Sequence, residues 1–155
     1  IQVKDQKIRV FTSHLQSMLF GGHDYQKLRE LKETTDSVVE KSKGIVKKFR
    51  RAYELRLHQV GKIKPYLDSS PIPEIFCGDF NEVPTSYIYH QLKGDRQDAF
   101  TKKGFGIGRT FSFLSPTLRI DYILADPAWE VLQCKRDRAP LSDHFPVIAD
   151  LRIPR

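Results

Sequence analysis

Four segments of this chain carry the short apolar or alternating patterns that are typical of strands. Residues 8–15 and 74–79 are rich in β-branched and aromatic side chains and predict buried strands. Residues 118–126 and 144–153 predict two further strands, the second with Pro146 near its start, where a missing backbone donor is tolerated.

Between the first two strands the hydrophobic period lengthens to three and four residues. Residues 24–67 contain no proline before Pro65 and are rich in Lys, Glu, Arg and Leu, which favours helix. We predict one long amphipathic helix here, with a shorter helix over 25–40 preceding it as an alternative. The mostly apolar stripe of the long helix consists of Ile45, Phe49, Ala52, Arg56, Val60, Ile63 and Leu67.

The remaining elements are short. A helix is predicted over 85–92, with Pro84 and Thr85 or Ser86 at its N-terminus. The glycine-rich segment 104–110 is followed by β-prone TFSF instead of a helix, which argues against a dinucleotide-binding loop. The order strand, helices, strand, helix, strand, strand predicts an α/β fold, with residues 1–155 forming a single domain.

Composition narrows the class of protein. The chain has 155 residues, 39% of them hydrophobic and 29% charged, which is typical of a globular domain. It contains no run of about 18 apolar residues and no signal-peptide pattern, so we expect a soluble chain, with a cytoplasmic location favoured. Cys77 and Cys134 are far apart and outside any Cys/His cluster, which argues against structural zinc and leaves one disulfide as an alternative.

Positive charge is concentrated in the helical segment. Residues 27–64 contain 12 basic and 5 acidic residues, which equals the net charge of +7 of the whole chain. A solvated outer face is the favoured interpretation of the 24–68 segment. The alternative is attraction of a phosphate-bearing partner by Lys41, Lys43, Lys47, Lys48, Arg50 and Arg51.

Polar side chains that could take part in catalysis or metal binding lie where the predicted strands end. They are His14, Asp79 with Asn81, Asp121, and Asp143 with His144. Carboxylates hold hard divalent cations, an amide positions an ester, and histidine transfers protons near neutral pH. An Asp alone is more often a cap or turn former, and a His alone is more often a packed, partly buried residue. Together they indicate metal-assisted hydrolysis of a phosphate ester.

Three motifs carry a resemblance to a known family. FCGDFNEVP, LRIDYIL and LSDHFPV, in this order and preceded by VFTSHL, resemble the endonuclease/exonuclease/phosphatase superfamily of deoxyribonuclease I-like phosphohydrolases. The resemblance spans residues 8–151 and covers the C-terminal half of such an enzyme. It implies an α+β fold that is part of a four-layer β-sandwich flanked by helices, with the 24–68 segment as a long amphipathic helical insertion.

The resemblance also implies roles for the motif residues. Asp79 orients the attacking water and contacts the metal, and Asn81 holds the scissile phosphate. His144 acts as general base or stabilises the transition state, and Asp121 orients it. Asp143 is a further metal-site carboxylate.

Two more residues are candidate contacts to the substrate. His14 resembles a second histidine that many members place near the leaving group or phosphate. Arg109, in the glycine-rich loop, is a candidate substrate contact, although a surface role is the favoured interpretation of this residue alone. Arg119, on a predicted strand, is expected to make a packing or ion-pair contact.

The implied cofactor is Mg²⁺ or Mn²⁺. We expect weak metal affinity, because the asparagine and glutamate of the family's N-terminal half have no counterpart in this chain and that half is expected to be required. A nucleic acid phosphodiesterase is the favoured function. A phospholipid or inositol-phosphate hydrolase and a non-catalytic binding fragment are the alternatives, and no protein partner is implied.

Overall fold

The computed structural model describes residues 1–3, 5–18, 38–113, 115, 117–139 and 142–153, with only the backbone of 38–42. Within these ranges the strands are β1 Gln2–Val3, β2 Gln6–Lys7, β3 Arg9–His14, β4 Glu74–Asp79, β5 Gln97–Asp98, β6 Asp121–Ala125, β7 Glu130–Arg136 and β8 Val147–Arg152. The helices are α1 Val38–Asp68, α2 Tyr87–Lys93 and α3 Ala99–Lys103. Most of the alternative helix over 25–40 lies outside the described residues.

The central sheet has the strand order β3–β4–β6–β5. β3 and β4 are parallel and connected through α1, whereas β6 runs antiparallel to β4. The carboxyl ends of β3 and β4 therefore meet the beginning of β6 at one edge of the sheet. His14 lies opposite Asp79, and Asp79 lies opposite Asp121.

Helix α1 covers one face of this sheet with the stripe predicted from its periodicity. Ala52, Val60 and Leu67 are buried, and Val60 and Leu67 join the main core. The core is centred on three stacked rings, with Phe80 lying 4.7 Å from Phe76 and 5.1 Å from Tyr122 between ring centroids. Phe49 departs from the prediction: it is 37% exposed, because it faces a cleft instead of the core.

β7 and β8 form a separate antiparallel pair with a register irregularity between Val131 and Gln133. Val131 and Cys134 pack with Ala99 and Ile123 in a second cluster beside the central sheet. β7 and α3 were not predicted from the sequence, nor were the two-residue strands. β7 was missed because its register is irregular, and a bulge destroys the strict alternation that identifies a strand.

Two predicted strands are shorter than expected. Residues 118–120 precede β6, and Leu118 O accepts hydrogen bonds from the backbone of Thr110 and Phe111. β8 begins at Val147, because His144 is bridged to Phe111 instead of belonging to the strand. Both differences arise from contacts to the segment around residue 110.

Buried ion pairs connect the layers. Arg119 donates to Asp98 at 2.7 Å, and the Tyr89 hydroxyl donates to the same carboxylate at 2.7 Å. Arg56 of α1 donates to Glu82 at 2.6 Å, with both side chains buried. The ion pair predicted for Arg119 is therefore confirmed. The ion pair with Glu82 explains why Arg56, a charged residue, occupies a position in an otherwise apolar stripe.

The remaining expectations have clear outcomes in the structure. Cys77 and Cys134 are both free thiols, so the alternative of a disulfide is wrong. On α1, Lys43, Lys47 and Arg51 are exposed, as the interpretation of a solvated face requires. Among the described residues, no helix is long and apolar enough to cross a membrane.

The N-terminus of α2 provides a first testable prediction. The Ser86 hydroxyl accepts a hydrogen bond from the Tyr89 backbone N–H at 3.1 Å, which makes Ser86 the N-cap. We expect Ser86→Ala to lower the free energy of unfolding by about 1 kcal/mol, because one helix donor loses its partner. Chemical denaturation measures this loss. Ser86→Asp restores an acceptor and serves as the control; equal destabilisation by both substitutions contradicts the capping role.

Candidate active site

The edge of the central sheet brings together the polar residues that end or begin its strands. His14 ends β3, Asp79 ends β4 and Asp121 begins β6. The His14 Nε2 atom lies 3.5 Å from Asp79 Oδ2, although the His14 side chain is 70% exposed. The parallel pairing of β3 with β4 and the antiparallel pairing of β4 with β6 therefore bring these three residues, which are far apart in the sequence, close together.

The turn after β4 is organised around the Asp79 carboxylate. Asn81 adopts a positive φ of 51°, a conformation that asparagine tolerates better than most residues. Its backbone N–H donates to Asp79 Oδ1 at 2.8 Å, and its side-chain amide donates to Asp79 Oδ2 at 3.0 Å and to Leu15 O at 3.1 Å. A phosphate that binds the Asn81 amide must therefore displace one of these two acceptors.

The surroundings of Asp79 raise its pKa above the ordinary aspartate value. Burial raises the pKa of Asp79, and the negative charge of Asp121 raises it further. The hydrogen bond from the Asn81 backbone and the nearby His144 and His14 act in the opposite direction without cancelling the shift. Positive charge bound here would relieve the repulsion between the two carboxylates.

His144 is positioned from both sides. Its backbone is bridged to Phe111, and the two rings are 4.9 Å apart between centroids. Its Nδ1 atom lies 2.9 Å from Asp121 Oδ2, and its Nε2 atom lies 3.9 Å from Asp79 Oδ2. With Nδ1–H donating to Asp121, Nε2 is the nitrogen that faces the cleft.

Neighbouring carboxylates determine the protonation of His144. Partial burial lowers the pKa of His144, but the hydrogen bond to Asp121 and the charges of Asp121, Asp79 and Asp143 outweigh burial and raise it above the ordinary histidine value. An imidazole supported in this way is a stronger base than a free one.

Thr110 supports this arrangement. The family resemblance implies only that its glycine-rich loop, with Arg109 and Phe111, approaches the substrate, and this supporting role was not predicted. Its buried Oγ1 accepts the backbone N–H groups of Ile120 at 2.9 Å and Asp121 at 3.1 Å. The hydroxyl thereby holds the beginning of β6, and with it the carboxylate that orients His144. A Thr directly before a β-prone run carries no sequence signal for this role, because its partner backbone lies ten residues away.

Three residues form a group that suits a metal ion. Asp79, Asp121 and His144 offer ligand atoms that all lie within 4.8 Å of one another. Carboxylate oxygens fit a hard divalent cation, but two carboxylates fall short of the six oxygen ligands such an ion prefers. The residues present therefore fit Mg²⁺ or Mn²⁺ as an incomplete ligand set.

Asp143 lies at the rim of the same cleft. Its side chain is exposed and accepts a hydrogen bond from Ser142 Oγ at 3.1 Å. It does not belong to the three-residue group, so its role as a metal ligand stays a prediction. Rim position and exposure would allow it to contact a cation through water.

The catalytic candidates open onto a cleft of about 1000 Å³. His14, Asp79, Asn81, Asp143 and His144 line it. Helix α1 forms a second wall with Phe49, Arg50, Tyr53 and Arg56, and Phe111 adds another ring. The long helix predicted from the sequence thus contributes to the site, which its periodicity alone did not indicate.

Arg109 is placed elsewhere. Its side chain donates to Phe111 O at 2.7 Å and to Ser112 O, and it lies over the Phe145 ring. It does not line the catalytic cleft but a separate groove beside it. Its predicted contact to substrate therefore stays a prediction and concerns this second groove.

Comparison with known proteins agrees with the sequence motifs. The model of the Endonuclease/Exonuclease/phosphatase family matches residues 35–144. Protein angel homolog 2 from Danio rerio is 37% identical over 73 residues, which are 47% of this chain and 12% of that protein.

Solved structures show the same fold. A functionally unknown conserved protein from Enterococcus faecalis V583 aligns with a TM-score of 0.54 and 25% identity over 64% of this chain and 44% of that chain. The human Nocturnin catalytic domain with bound sulfate aligns with a TM-score of 0.53 and 19% identity over 91% of this chain and 45% of that one. The predicted deoxyribonuclease I-like fold is confirmed, and the chain spans less than half the length of these structures.

Proposed function

Because this chain belongs to the Endonuclease/Exonuclease/phosphatase family, we propose that it carries the C-terminal half of the active site of a metal-dependent phosphodiesterase that cleaves nucleic acid. The observation that carries the proposal is the line of three side chains at the sheet edge. Asp121 holds His144 Nδ1 at 2.9 Å, and His144 Nε2 faces Asp79 at 3.9 Å across the cleft.

These residues meet the needs of phosphodiester cleavage. Asp121 fixes the tautomer of His144, so that Nε2 accepts a proton from water or, once protonated, donates one to the leaving oxygen. Asp79 accepts a hydrogen bond from the attacking water and orients it. The Asn81 amide holds a nonbridging phosphate oxygen after exchanging one of its present acceptors.

A divalent cation would complete the chemistry. Asp79 would hold Mg²⁺ or Mn²⁺ with Asp143 at the rim, and the bound ion would neutralise charge on the phosphate. The other half of the fold supplies the remaining oxygen ligands in this proposal. Val10 and Ile148, each 41% exposed on strands of this half, are apolar positions that the other half would cover.

The cleft walls favour a nucleotide-containing substrate. Phe49, Tyr53 and Phe111 present aromatic rings, and the Arg50 side chain on the same wall is 81% exposed. Aromatic rings stack on bases and a guanidinium pairs with phosphate, which together match a polynucleotide. A phosphoinositide offers phosphates but no aromatic base for these rings.

Substrate classes are separated by a direct assay, with Mg²⁺, of this chain together with the other half of the fold, which the proposal requires for the metal site. We expect release of nucleotide products from single-stranded RNA or DNA and no phosphate release from vesicles that contain phosphatidylinositol phosphates. Chelation with EDTA is expected to stop the reaction, and added Mg²⁺ or Mn²⁺ to restore it. Turnover of the vesicles alone would replace the proposal by a phospholipid-directed one.

A single substitution tests the proposed role of Asp121. We expect Asp121→Asn to lower kcat by about 100-fold or more, because an amide no longer selects the imidazole tautomer with Nε2 as the base. Asp95→Asn, at an exposed residue away from the cleft, is the matched control and should retain full turnover. Equal activity of both variants would show that His144 works without its partner.

A further inference from the structure

A second concavity, which we call the basic groove, lies beside the catalytic cleft and has a volume of about 830 Å³. Its cations are Lys103, Arg109, Lys135, Arg136 and Arg138. Among the described residues, no Asp or Glu lines it. The neighbouring Asp137 uses its carboxylate to accept the Ala139 backbone N–H at 3.1 Å. The groove is therefore a concentration of positive charge.

The groove and the cleft are lined by the same two bridged backbone segments. Phe111 and His144 are bridged and line the cleft, whereas Arg109 and Phe145 belong to the same two segments and line the groove. The Phe145 N–H donates to Thr110 O at 2.7 Å and holds the two segments together. A ligand that contacts Phe145 in the groove therefore lies next to the residue that follows the catalytic His144 in the chain.

The guanidinium groups are held in place by the protein. Arg136 donates to Arg109 O at 2.7 Å, and its guanidinium carbon lies 5.2 Å from the Phe145 ring centroid. The Arg109 guanidinium lies 5.8 Å from the same centroid. Burial and the charges of Arg138 and Arg109 lower the pKa of Arg136. These cations repel one another, and a bound anion would remove that repulsion.

Apolar side chains border the same groove. Phe105 is 99% exposed and Ile107 is 64% exposed, on a loop whose Gly106 and Gly108 have φ values of 79° and 72°. A Cβ on Gly108 would lie 2.4 Å from the Phe100 ring, so the base of the loop packs closely. The loop is therefore anchored while it presents an aromatic ring to solvent beside the cations.

We propose that the basic groove binds single-stranded nucleic acid, with its cations contacting phosphates and Phe105 stacking on a base. Alternation of cations with an exposed ring matches a single strand, whose bases are accessible, better than a duplex. The proposal rests on the proposed function in one respect: the strand bound here is the substrate that enters the cleft. Binding itself does not require cleavage.

Fluorescence anisotropy with a labelled single-stranded RNA of about 12 nucleotides tests the groove. All measurements use the full chain with His144→Ala, so that the probe stays intact and binding is read independently of hydrolysis. We expect Lys103→Ala with Lys135→Ala to weaken binding about tenfold. The slope of log K against log salt should fall by about 1.4, at about 0.7 for each lost phosphate contact.

The matched control removes the same charge outside the groove. Lys62→Ala with Lys102→Ala changes two exposed lysines, one of them adjacent to Lys103, and should weaken binding less than about twofold. Equal losses in the two double variants would overturn the proposal, because they would show dependence on net charge alone. An unchanged affinity of the groove variant would overturn it as well.

Substitution of the Phe105 ring tests a contribution to binding that charge alone does not explain. Phe105→Ala should weaken RNA binding about fivefold to tenfold, and Phe105→Tyr should preserve it. Competition by inorganic polyphosphate should be unaffected by Phe105→Ala. RNA binding that does not change with Phe105→Ala would overturn the assignment to nucleic acid. If the protein that retains His144 does not hydrolyse RNA although the groove binds it, that result would contradict only the proposed catalytic function.

Discussion

Replacement of His144 by alanine is expected to lower kcat for phosphodiester cleavage by about 1000-fold or more. The imidazole is the group that receives support from Asp121 at 2.9 Å and reaches toward Asp79, so no other described side chain has the same connection. Its side chain is 30% exposed, and the Asp121 side chain that loses its partner is 21% exposed. Water therefore solvates the carboxylate, and the free energy of unfolding should change by less than about 1 kcal/mol.

Steady-state turnover of a single-stranded oligonucleotide, measured with the other half of the fold present, and chemical denaturation of this chain measure the two effects. His58→Ala, at an exposed histidine of α1, is the control and should retain turnover. His144→Gln preserves much of the side-chain volume and covers the case in which alanine perturbs the Phe111 contact. Wild-type kcat in either His144 variant would refute the role of this residue.

Substitution of Gly78 by alanine is expected to produce the largest loss of stability, about 3–5 kcal/mol. Gly78 lies in β4 with a φ of 141°, and an added Cβ would lie 1.9 Å from Ser13 O of β3. That oxygen belongs to the neighbouring backbone, so the strands must separate to make room. His14 and Asp79, the next residue on each strand, would move with them.

Chemical denaturation provides the measurement, and the sequence provides the control. Gly61 is exposed on α1, and an added Cβ there would have nothing within 4 Å, so Gly61→Ala should raise the free energy of unfolding by about 0.5–1 kcal/mol. A Gly78→Ala variant as stable as wild type would show that β3 and β4 are not paired as described.

The elements that rest on local pattern were accessible from the sequence. β3 lies in a partly alternating segment that is rich in β-branched and aromatic residues, β4 is a short apolar run, and α1 follows a period of three and four residues, so local pattern identifies them. β7 was missed because its register shifts at Val131 and Gln133, and α3 because five residues carry too short a pattern. Local propensity is weak at this length, and packing against Ile123 and Val147 decides these elements.

The candidate site also contains residues that the sequence identified and one residue whose position it did not predict. Motifs around Asp79, Asp121 and His144 were recognisable in the sequence, and the structure places them within reach of one another. Arg109 was expected beside them but lies over Phe145 in the basic groove, because its loop turns through two glycines with positive φ. A loop direction of this kind depends on backbone conformations that the residue types permit but do not specify.

The amino-acid sequence by itself determined which residue types are available for chemistry, where β3, β4, β6, β8 and the long helix run, and the family to which the chain belongs. Only the tertiary structure decided that Thr110 holds the start of β6, that Arg56 pairs with Glu82, and that α1 forms a wall of the cleft. The physical reason is distance along the chain. Periodicity reports contacts within a few residues, whereas these contacts join segments that meet only when the apolar core is buried.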